Sequence, residues 1–251
     1  MDKFSLIGKT VLVTGASSGI GRGIAIACAE AGACVVLNGR NEKRLQETLS
    51  KLRSRTDVLG ATHLVIPADL TDSEQRQALV ERVPELDGLV QCAGIGNRVP
   101  CKAIGEEDIQ AVFAPNIEAP MLLQAELLQE RKIKKGASVV YMASIAARSA
   151  VAGNALYSAS KAAIIAYANC LALELAPRNI RVNCISPAMV WTDLALVGAS
   201  REELEQDQLK YPLKRYAHPE DITGAVIYLL SDAASWVTGS NFELTGGTQV
   251  L

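Results

Sequence analysis

A tyrosine and a lysine, Tyr157 and Lys161, stand four residues apart in the segment YSASK, which has helical spacing. At 1.5 Å of rise per residue, the two side chains leave one face of a helix about 6 Å apart along its axis. An ammonium group so close to a phenol favours the phenolate, and a tyrosine that ionises readily can give or take a proton. The same spacing is common by chance on a solvated helix face. The pair therefore indicates acid–base chemistry only where other reactive groups converge on it.

Ser144 follows the apolar run ASVVYM, which predicts a strand. The carboxyl ends of parallel strands form the edge at which ligands bind in open α/β sheets. A hydroxyl at this edge can donate a hydrogen bond to a carbonyl oxygen that gains negative charge during a reaction. A serine after a strand is otherwise an ordinary turn residue. Ser144 is thus a candidate for orienting a substrate oxygen.

The first predicted strand ends in the glycine-rich turn TGASSGIG, from Thr14 to Gly21, and passes directly into a helix. Glycines at such a junction let the backbone approach a phosphate, and the helix N-terminus offers unpaired N–H groups to a pyrophosphate. The alternative is a turn rich in glycine only because the strand and the helix pack tightly. The spacing TGxxxGxG is moderately specific and favours a dinucleotide site.

The elements that must position these residues follow a repeating pattern. Short β-rich apolar runs alternate with longer segments of helical period, as in βαβ units around a parallel sheet. The predicted strands are TVLVT (10–14), ACVVLN (33–38), HLVIP (63–67), GLVQ (88–91), ASVVYM (137–142), IRVNCIS (180–186) and NFEL (241–244). The predicted helices span residues 19–31, 41–54, 73–82, 116–133, 155–176 and 221–231. We expect an α/β fold, a doubly wound three-layer Rossmann fold with a mostly parallel seven-stranded sheet.

The segment 187–219 breaks this pattern, since its one helical piece is the charged stretch REELEQDQLK. A long excursion of this kind in a compact domain is often an active-site lid. No internal repeat, low-complexity tract or linker interrupts the chain, and glycines such as Gly136 are interpreted as breaks between elements. We expect one dinucleotide-binding catalytic domain over residues 1–251, with a substrate lid at 187–219.

The composition is that of a globular protein, with 49% hydrophobic and 21% charged residues and a formal net charge of -2. No long run of one sign provides an electrostatic footprint for nucleic acid or an anionic membrane. His63 and His218 lie far apart and the six cysteines follow no regular spacing, so we expect neither a metal site nor a disulfide framework. Five of the cysteines lie in apolar contexts that favour buried, reduced thiols.

The sequence gives no sign of a membrane anchor or a signal peptide. The longest apolar stretch, residues 162–176, is interrupted by Asn169 and Glu174 and is shorter than the roughly 20 residues of a transmembrane helix. The segment MDKFSLIGKT lacks the basic, apolar and cleavage regions of a signal peptide. We expect a cytoplasmic protein that binds a small ligand.

The combination of TGxxxGIG, Ser144 and YxxxK resembles the short-chain dehydrogenase/reductase family, in its compact branch of about this length that includes 3-oxoacyl reductases. The resemblance covers nearly the whole chain. It implies an enzyme that transfers a hydride between a nicotinamide cofactor and a carbonyl or secondary alcohol carbon. The substrate could be a 3-oxoacyl thioester, a sugar, a steroid or a small ketone, and a ketone or 3-oxoacyl reductase is expected.

The resemblance also implies the roles of four side chains. Tyr157 would be the general acid in reduction and the base in oxidation, while Lys161 would favour its ionised form and bind the nicotinamide ribose. Ser144 would orient the substrate oxygen. Asn116, at the head of a predicted helix, would help hold a water that relays protons to Lys161.

The cofactor contacts implied by the resemblance are spread over the carboxyl ends of several strands. Asp69 and the backbone of Leu70 would contact adenine, although Asp69 could equally be an N-terminal helix residue in ADLTDSE. The segment from Pro187 to Thr192 would surround the nicotinamide carboxamide. The full expected set is Gly15, Ser17, Ser18, Gly19, Ile20, Gly21, Arg40, Asp69, Leu70, Ala93, Gly94, Tyr157, Lys161, Pro187, Val190 and Thr192.

Two positions depart from the family pattern. Where the family usually has Asn-Asn-Ala-Gly, this chain has Gln91 and Cys92 before Ala-Gly, and a thiol cannot replace the hydrogen bonds of an amide. Where the family usually has Pro-Gly, Ala188 adds a methyl group beside the expected nicotinamide. These changes affect cofactor affinity or local rigidity, while all four catalytic side chains are present.

The end of the second strand, in VVLNGRNEKR, indicates the cofactor. Folds selective for NAD(H) place an acidic residue here, which repels a 2′-phosphate. Gly39 stands where the resemblance puts the usual aspartate, and the guanidinium of Arg40 could bind the phosphate. Against this, Arg40 could be a solvated charge and Ser18 lacks the basic side chain of many NADP-preferring relatives. NADP(H) is expected, with NAD(H) as the alternative.

The resemblance further implies a homo-oligomer, most simply a homotetramer, in which helices 116–133 and 155–176 pack across a two-fold axis. The alternative is that their own sheet covers these helices. A nucleotide-binding sensor or scaffold without catalysis is the alternative function, and the altered Gln91-Cys92 pair is its only support. A methyltransferase would share the glycine-rich turn but leave the YxxxK pair unexplained.

Overall fold

The computed structural model describes residues 3–56, 62–197 and 200–248. Within them, seven strands form one parallel sheet in the order β3-β2-β1-β4-β5-β6-β7. This confirms the predicted seven-stranded parallel sheet. The strands are β1 (Thr10–Val13), β2 (Cys34–Gly39), β3 (Leu64–Pro67), β4 (Leu86–Gln91), β5 (Ile133–Met142), β6 (Arg181–Pro187) and β7 (Asn241–Leu244).

Helices cover both faces of the sheet and make the predicted three layers. One face carries the first, second and last helices, and the other carries the third, fifth and sixth. The helices are α1 (Gly19–Glu30), α2 (Glu42–Thr56), α3 (Ser73–Arg82), α4 (Glu106–Phe113), α5 (Ala119–Gln129), α6 (Ala155–Leu175), α7 (Arg201–Asp207) and α8 (Pro219–Leu230).

The strand sequences explain why two helical layers form. Side chains alternate between the faces of a strand, so a strand buried on both sides is apolar throughout. In β1, Leu12 belongs to the core beneath α5 and α6, whereas Val11 and Val13 belong to the core beneath α1 and α8. All three are fully buried. The short apolar runs therefore specify a sheet enclosed between two layers of helices.

The position of the site follows from the strand order. From β1 the chain crosses over to β2 and β3 on one side, and it continues through β4 to β7 on the other. The connections after β1 and β4 consequently leave the sheet in opposite directions and open a crevice at its carboxyl edge. The glycine-rich turn after β1 and the loop after β4 form the two walls of that crevice.

The helix predicted over residues 116–133 is the largest error of the sequence analysis. A continuous helical stretch starts earlier, with α4, and reaches α5 through a π-helical turn at Ala114–Glu118. Pro115 does not interrupt this stretch, because the backbone widens there and the N–H of Ala119 donates to the carbonyl of Ala114. The helix also ends at Gln129, because β5 begins at Ile133 rather than at residue 137.

Gly136 lies inside β5 and does not separate two elements. Its φ is +82°, and the register between β4 and β5 shifts in this stretch, so the glycine serves an irregular bend within the strand. The other ends of the predicted strands and helices coincide with those of the structure or differ by one or two residues.

The cysteines are less buried than predicted. Cys28 and Cys184 are buried and Cys34 and Cys92 are half-buried, whereas Cys101 and Cys170 are exposed; all six thiols are free. Cys170 lies in an apolar segment, but on a face of α6 that the sheet does not cover. An apolar neighbourhood in the sequence therefore does not by itself predict burial.

The long helix α6 packs as a core helix. The segment Ala155–Arg178 is long and apolar enough to cross a membrane by length and composition alone, with a mean hydropathy of 1.2, and many core helices meet the same criterion. One face of α6, which includes Ile164, Leu171 and Leu175, is buried in the core beneath the sheet. This face places Tyr157 and Lys161 at the carboxyl edge.

Candidate active site

The glycine-rich turn after β1 is packed so tightly that side chains are excluded at two positions. A Cβ on Gly21 would lie 2.3 Å from the carbonyl oxygen of Gly15. Gly15 has a φ of +67°, and its Cβ would lie 3.0 Å from the backbone nitrogen of Ala93. The tight packing of strand and helix, which the sequence analysis gave as the alternative reason for these glycines, is therefore present in the structure. Ser18, the N-cap of α1, makes no side-chain capping bond, so the first N–H groups of the helix face the crevice without that partner.

A hydroxyl that the sequence analysis missed joins the two walls of the crevice. The Oγ1 atom of Thr14 accepts hydrogen bonds from the backbone N–H groups of Cys92 (3.0 Å) and Ala93 (3.1 Å). Thr14 is fully buried. Its position at the last residue of the predicted first strand was the available signal, because a polar side chain in an apolar run needs a partner.

The departures at residues 91 and 92 leave the local structure well bonded. The Nε2 atom of Gln91 donates to the carbonyl oxygen of Pro120 at 3.0 Å, which ties β4 to α5. The thiol of Cys92 makes no such bond, but Thr14 holds its backbone. Burial raises the pKa of Cys92 to about 11, although the Lys161 charge acts in the opposite direction. Cys92 is therefore a neutral thiol near pH 7.

Tyr157 and Lys161 project from the first turns of α6 beside the end of β5. The ammonium Nζ of Lys161 donates to the carbonyl oxygen of Met142 at 2.9 Å and lies 5.6 Å from the centroid of the Tyr157 ring. Lys161 is only 6% exposed. Ser144 follows β5 by two residues, and its Oγ accepts a hydrogen bond from the N–H of Ala146 at 3.1 Å. The three predicted side chains thus line the same cleft.

Asn116 lies in the π-helical turn behind these groups. Its Oδ1 accepts from the N–H of Ile95 (2.8 Å), and its Nδ2 donates to the carbonyl of Ile95 (2.9 Å) and to Ser160 Oγ (3.1 Å). Asn116 is buried and does not line the cleft. A Cβ on Gly94 would lie 3.0 Å from Asn116 Oδ1 and 3.5 Å from Lys161 Nζ, which shows how closely these residues meet. Ser160, within the YSASK segment, was missed.

The adenosine end predicted from the sequence lies at the carboxyl ends of β2 and β3. Asp72, and not Asp69, caps α3 by accepting from the N–H groups of Glu74 and Gln75. This removes the alternative that Asp69 is the N-terminal helix residue. The Asp69 carboxylate instead accepts from the N–H and hydroxyl of Thr71 (3.0 and 2.7 Å).

Arg40 stands at the same end of the cleft. It is exposed, and its Nη1 lies 3.9 Å from Asp69 Oδ2. The residue before it is Gly39, which has no side chain. A Cβ on Gly39 would lie 3.4 Å from Ser17 Oγ, which is an ordinary contact distance. No acidic side chain therefore stands at the end of β2.

The segment after β6 forms the opposite rim. Thr192 contacts the glycine-rich turn, because a Cβ on Gly19 would lie 3.2 Å from Thr192 Cγ2. Val190 forms a parallel bridge with Ala217, and this bridge joins the two ends of the predicted lid. Between them, the Tyr216 hydroxyl donates to Asp207, which ties α7 to the rim.

All of these walls surround one open cleft of about 1840 Å³. Every predicted site residue except Asn116 lines it, including Ile20, Leu70 and Pro187. Lining residues that the sequence analysis missed come from the lid, among them Asp207 and Tyr211, and from the loops after β4 and β5, among them Ile95 and Ile145. No motif pointed to them. Among the described residues, no cluster of His, Cys, Asp or Glu side chains is arranged to hold a metal ion.

Comparison with known proteins gives consistent matches over nearly the whole chain. The family model described as enoyl-(acyl carrier protein) reductase matches residues 15–249. The 3-oxoacyl-(acyl-carrier-protein) reductase of Rickettsia felis is 34% identical over 244 residues, which cover 96% of this chain and 97% of the relative. The L-xylulose reductase of Caenorhabditis elegans is 38% identical over 245 residues, 95% of each chain.

Solved structures agree with these relatives. A short-chain type dehydrogenase/reductase from Mycobacterium marinum has a TM-score of 0.89 and 31% identity, over 98% of this chain and 97% of that one. An NAD(P)-dependent gluconate 5-dehydrogenase candidate from Beutenbergia cavernae, with NADP bound at low occupancy, has a TM-score of 0.86 and 32% identity over 98% of each chain.

The packing of the glycine-rich turn predicts a contrast between two glycine substitutions. In Gly21→Ala the new methyl group meets backbone atoms that cannot rotate away, and we expect a loss of about 1–3 kcal/mol in the free energy of unfolding. Gly224→Ala, in α8, meets nothing within 4 Å and should stabilise by up to about 1 kcal/mol through helix propensity. Urea unfolding of both variants tests this. Equal stability of the two variants would contradict the packing argument.

Proposed function

The chain belongs to the short-chain dehydrogenase/reductase family of NAD(P)-dependent oxidoreductases, and we propose that it reduces a ketone or 3-oxoacyl carbonyl to a secondary alcohol with NADPH. The observation that carries this proposal is the convergence of Ser144, Tyr157 and Lys161 on a cleft whose other end is the glycine-rich turn. The whole chain would act as one catalytic domain. No metal ion would take part.

The residues present fit a dinucleotide. The turn has glycines at residues 15, 19 and 21, all of which line the cleft and let a pyrophosphate approach the backbone, and α1 presents its N-terminus there. Asp69 and Leu70 would hold the adenine, and Thr192 with Pro187 and Val190 would hold the nicotinamide end. The methyl group of Ala188 lines the same cleft and would border that end. When bound, the nicotinamide supplies the hydride.

The proton would come from Tyr157. Lys161 is held by one hydrogen bond to the carbonyl of Met142, so its remaining N–H donors can serve the cofactor ribose and the proton path. Its positive charge lies 5.6 Å from the centroid of the Tyr157 ring and would stabilise the negative charge that develops as the hydroxyl gives up its proton. Asn116 fixes the Ile95 backbone and Ser160 behind the ammonium, and it would help hold the relay water.

Ser144 would orient the carbonyl. Its oxygen already accepts a hydrogen bond from Ala146, so its own hydrogen is free to donate. A carbonyl between Ser144 and Tyr157 would receive two hydrogen bonds, which stabilise the negative charge that develops on its oxygen during reduction.

The substrate class is supported by the relatives. One is named as a reductase of 3-oxoacyl groups and another as a reductase of a keto sugar, and both reactions convert a ketone to a secondary alcohol. The alternative, a non-catalytic sensor or scaffold, is less favoured. Its only support was the Gln91-Cys92 pair, and the neighbouring backbone is held by Thr14 and Gln91.

Segment 187–219 would be the substrate lid, and the cytoplasm the compartment. The bridge between Val190 and Ala217 would act as the base of the lid, so the part from Trp191 to Tyr216 would move. Six free thiols suit a reducing compartment.

Single substitutions of Tyr157 and Lys161 distinguish the residue that transfers the proton from the residue that also binds the cofactor. Tyr157→Phe should lower kcat by at least about 100-fold, because it removes the acidic hydroxyl, with cofactor affinity unchanged. Lys161→Ala should lower both kcat and cofactor affinity. Fluorescence titration with NADPH and turnover on a panel of ketones and 3-oxoacyl thioesters measure the two effects. Near-wild-type turnover of Tyr157→Phe would exclude the mechanism, and unchanged affinity of Lys161→Ala would exclude the ribose contact.

The end of β2 predicts the choice of cofactor. Arg40 is 72% exposed and only weakly held by Asp69, so it can turn to a 2′-phosphate. We expect wild type to prefer NADPH, and Arg40→Ala to lower kcat/KM for NADPH about tenfold with little change for NADH. Gly39→Asp should reverse the preference, since a carboxylate there repels the phosphate. A wild-type preference for NADH, or an equal loss for both cofactors in Arg40→Ala, would refute the proposal.

The outer faces of α5 and α6 support a homotetramer. Leu122 and Leu173 are 45% and 79% exposed, although both lie on helices that are otherwise packed on the sheet. A partner subunit would cover them together with Cys170. Light scattering should give the mass of four chains, and Leu173→Asp should give smaller species in which iodoacetamide modifies Cys170 faster. Cys101, exposed elsewhere, is the control and should react alike in both. A wild-type monomer at micromolar concentration would contradict the prediction.

A further inference from the structure

A buried ion pair joins α3 to α5 directly beneath the expected adenosine end of the cleft. Arg76 is 5% exposed, and its Nε donates to Glu126 Oε1 at 2.8 Å. Its Nη1 donates to the carbonyl oxygen of Leu70 at 2.9 Å. Leu70 lines the cleft and precedes α3 in the same loop as Asp69. One guanidinium therefore connects the rigid helix α5 to the backbone of this loop.

The loop is shaped by polar contacts that converge on its few residues. The N–H of Asp69 donates to Gln75 Oε1 at 2.9 Å, Asp69 accepts from Thr71, and Asp72 caps α3. All of these contacts lie within the loop and the first turn of α3. Asn38, at the end of β2, ties the start of the loop to the sheet, since its Nδ2 donates to the carbonyl of Ala68 at 3.3 Å. Arg40 adds an exposed contact of 3.9 Å to Asp69. Arg76 joins the Leu70 backbone to α5, so it fixes the Leu70 end of the loop relative to that helix.

We propose that Arg76 is a positioning residue for cofactor binding, which fixes the Asp69–Leu70 loop through the carbonyl of Leu70 while Glu126 holds the guanidinium. The inference rests on the proposed function in one respect, that the adenosine half of the cofactor occupies this loop. It assigns a role to two residues that no motif marks. Arg76 touches no ligand and acts through the Leu70 backbone.

The free energy of burying charges explains why the Arg76–Glu126 ion pair can fix the position of the loop although it adds little to the stability of the fold. Burying two charges costs free energy that their attraction roughly offsets, and an apolar pair of similar size is often as stable. Glu126 Oε2 is buried without a hydrogen-bond partner, which adds to that cost. What an apolar pair cannot supply is a donor to the Leu70 carbonyl.

The decisive variant replaces both charges, Arg76→Met together with Glu126→Leu, so that no unpaired charge is left in the core. We expect it to fold and to bind ADP and NADPH about tenfold more weakly, the effect of losing one charge-assisted hydrogen bond that orders the binding loop. Reduced nicotinamide mononucleotide, which lacks the adenosine, should bind within twofold of wild type. Calorimetry with ADP and fluorescence titration with the two reduced nucleotides provide these values.

Two matched control variants distinguish a displaced Asp69–Leu70 loop from a general loss of stability. Glu126→Gln keeps the bond from Arg76 to Leu70 and should bind ADP within twofold of wild type. Arg181→Met removes an arginine that donates to the carbonyls of Leu229 and Ser231 (2.7 and 3.1 Å), outside the cleft. It should lower the Tm without changing the affinity for either half of the cofactor.

The outcomes distinguish this inference from the proposed function. Unchanged ADP affinity in the folded double variant, or an equal loss for ADP and the mononucleotide, would overturn the role of Arg76 while wild type still binds NADPH. Failure of wild type to bind ADP or NADPH would overturn the proposed function and this inference with it. A selective loss for ADP and NADPH supports the inference.

Discussion

The close approach of the turn after β1 to the loop after β4 is the constraint on which the site depends. The Thr14 hydroxyl accepts two N–H groups from that loop, and Gly15 lies so near Ala93 that a methyl group would touch its backbone. Because the glycine-rich turn is fixed on one wall and the Ala93-Gly94 loop on the other, the floor of the crevice is made of backbone. Gly94 in turn lies against Asn116 and Lys161. One buried hydroxyl thus links the two halves of the cleft.

The ammonium of Lys161 is buried beside this crevice, and the fold must stabilise its charge there. A charge removed from water is costly unless hydrogen bonds replace the lost hydration. Here the carbonyl of Met142, at the end of β5, supplies one such bond, and the π-helical turn at Asn116 orders the backbone nearby. A regular helix through Pro115 would turn Asn116 to a different angle, since each added residue rotates the following ones by about 100°. The irregular turn is therefore part of the proposed catalytic arrangement.

The sequence predicted the sheet, and it marked the side chains of Ser144, Tyr157 and Lys161 that the structure brings to one cleft, because both depend on local patterns. Val11, Leu12 and Val13 mark a strand whatever lies around them, and YxxxK needs only helical spacing. The helix around Asn116 was misplaced because its course through Pro115 depends on a widened turn that the periodicity does not reveal. Asp69 stayed ambiguous for a similar reason, as ADLTDSE contains two aspartates that could cap α3, and only the backbone geometry selects Asp72. Contacts between distant segments, such as Arg76 with Glu126, left no local pattern. For the contact of Thr14 with Cys92, the sequence showed only a polar side chain at the end of an apolar run.

The two ends of the cleft differ in how firmly their positively charged side chains are held. This difference determines whether a substitution at one end disturbs the other end. Arg40 is exposed and contacts Asp69 only at 3.9 Å, so solvent and salt screen it and its exchange costs the fold little. Lys161 is enclosed, bonded to the sheet and close to Tyr157, so its exchange disturbs several contacts together. Between them, the loop of Asp69 and Leu70 is shaped by exposed hydrogen bonds of its own and by one buried bond, from Arg76 to the carbonyl of Leu70. Under the proposed function, changes at the end of β2 would therefore alter the preferred nucleotide without disturbing the groups that transfer the proton.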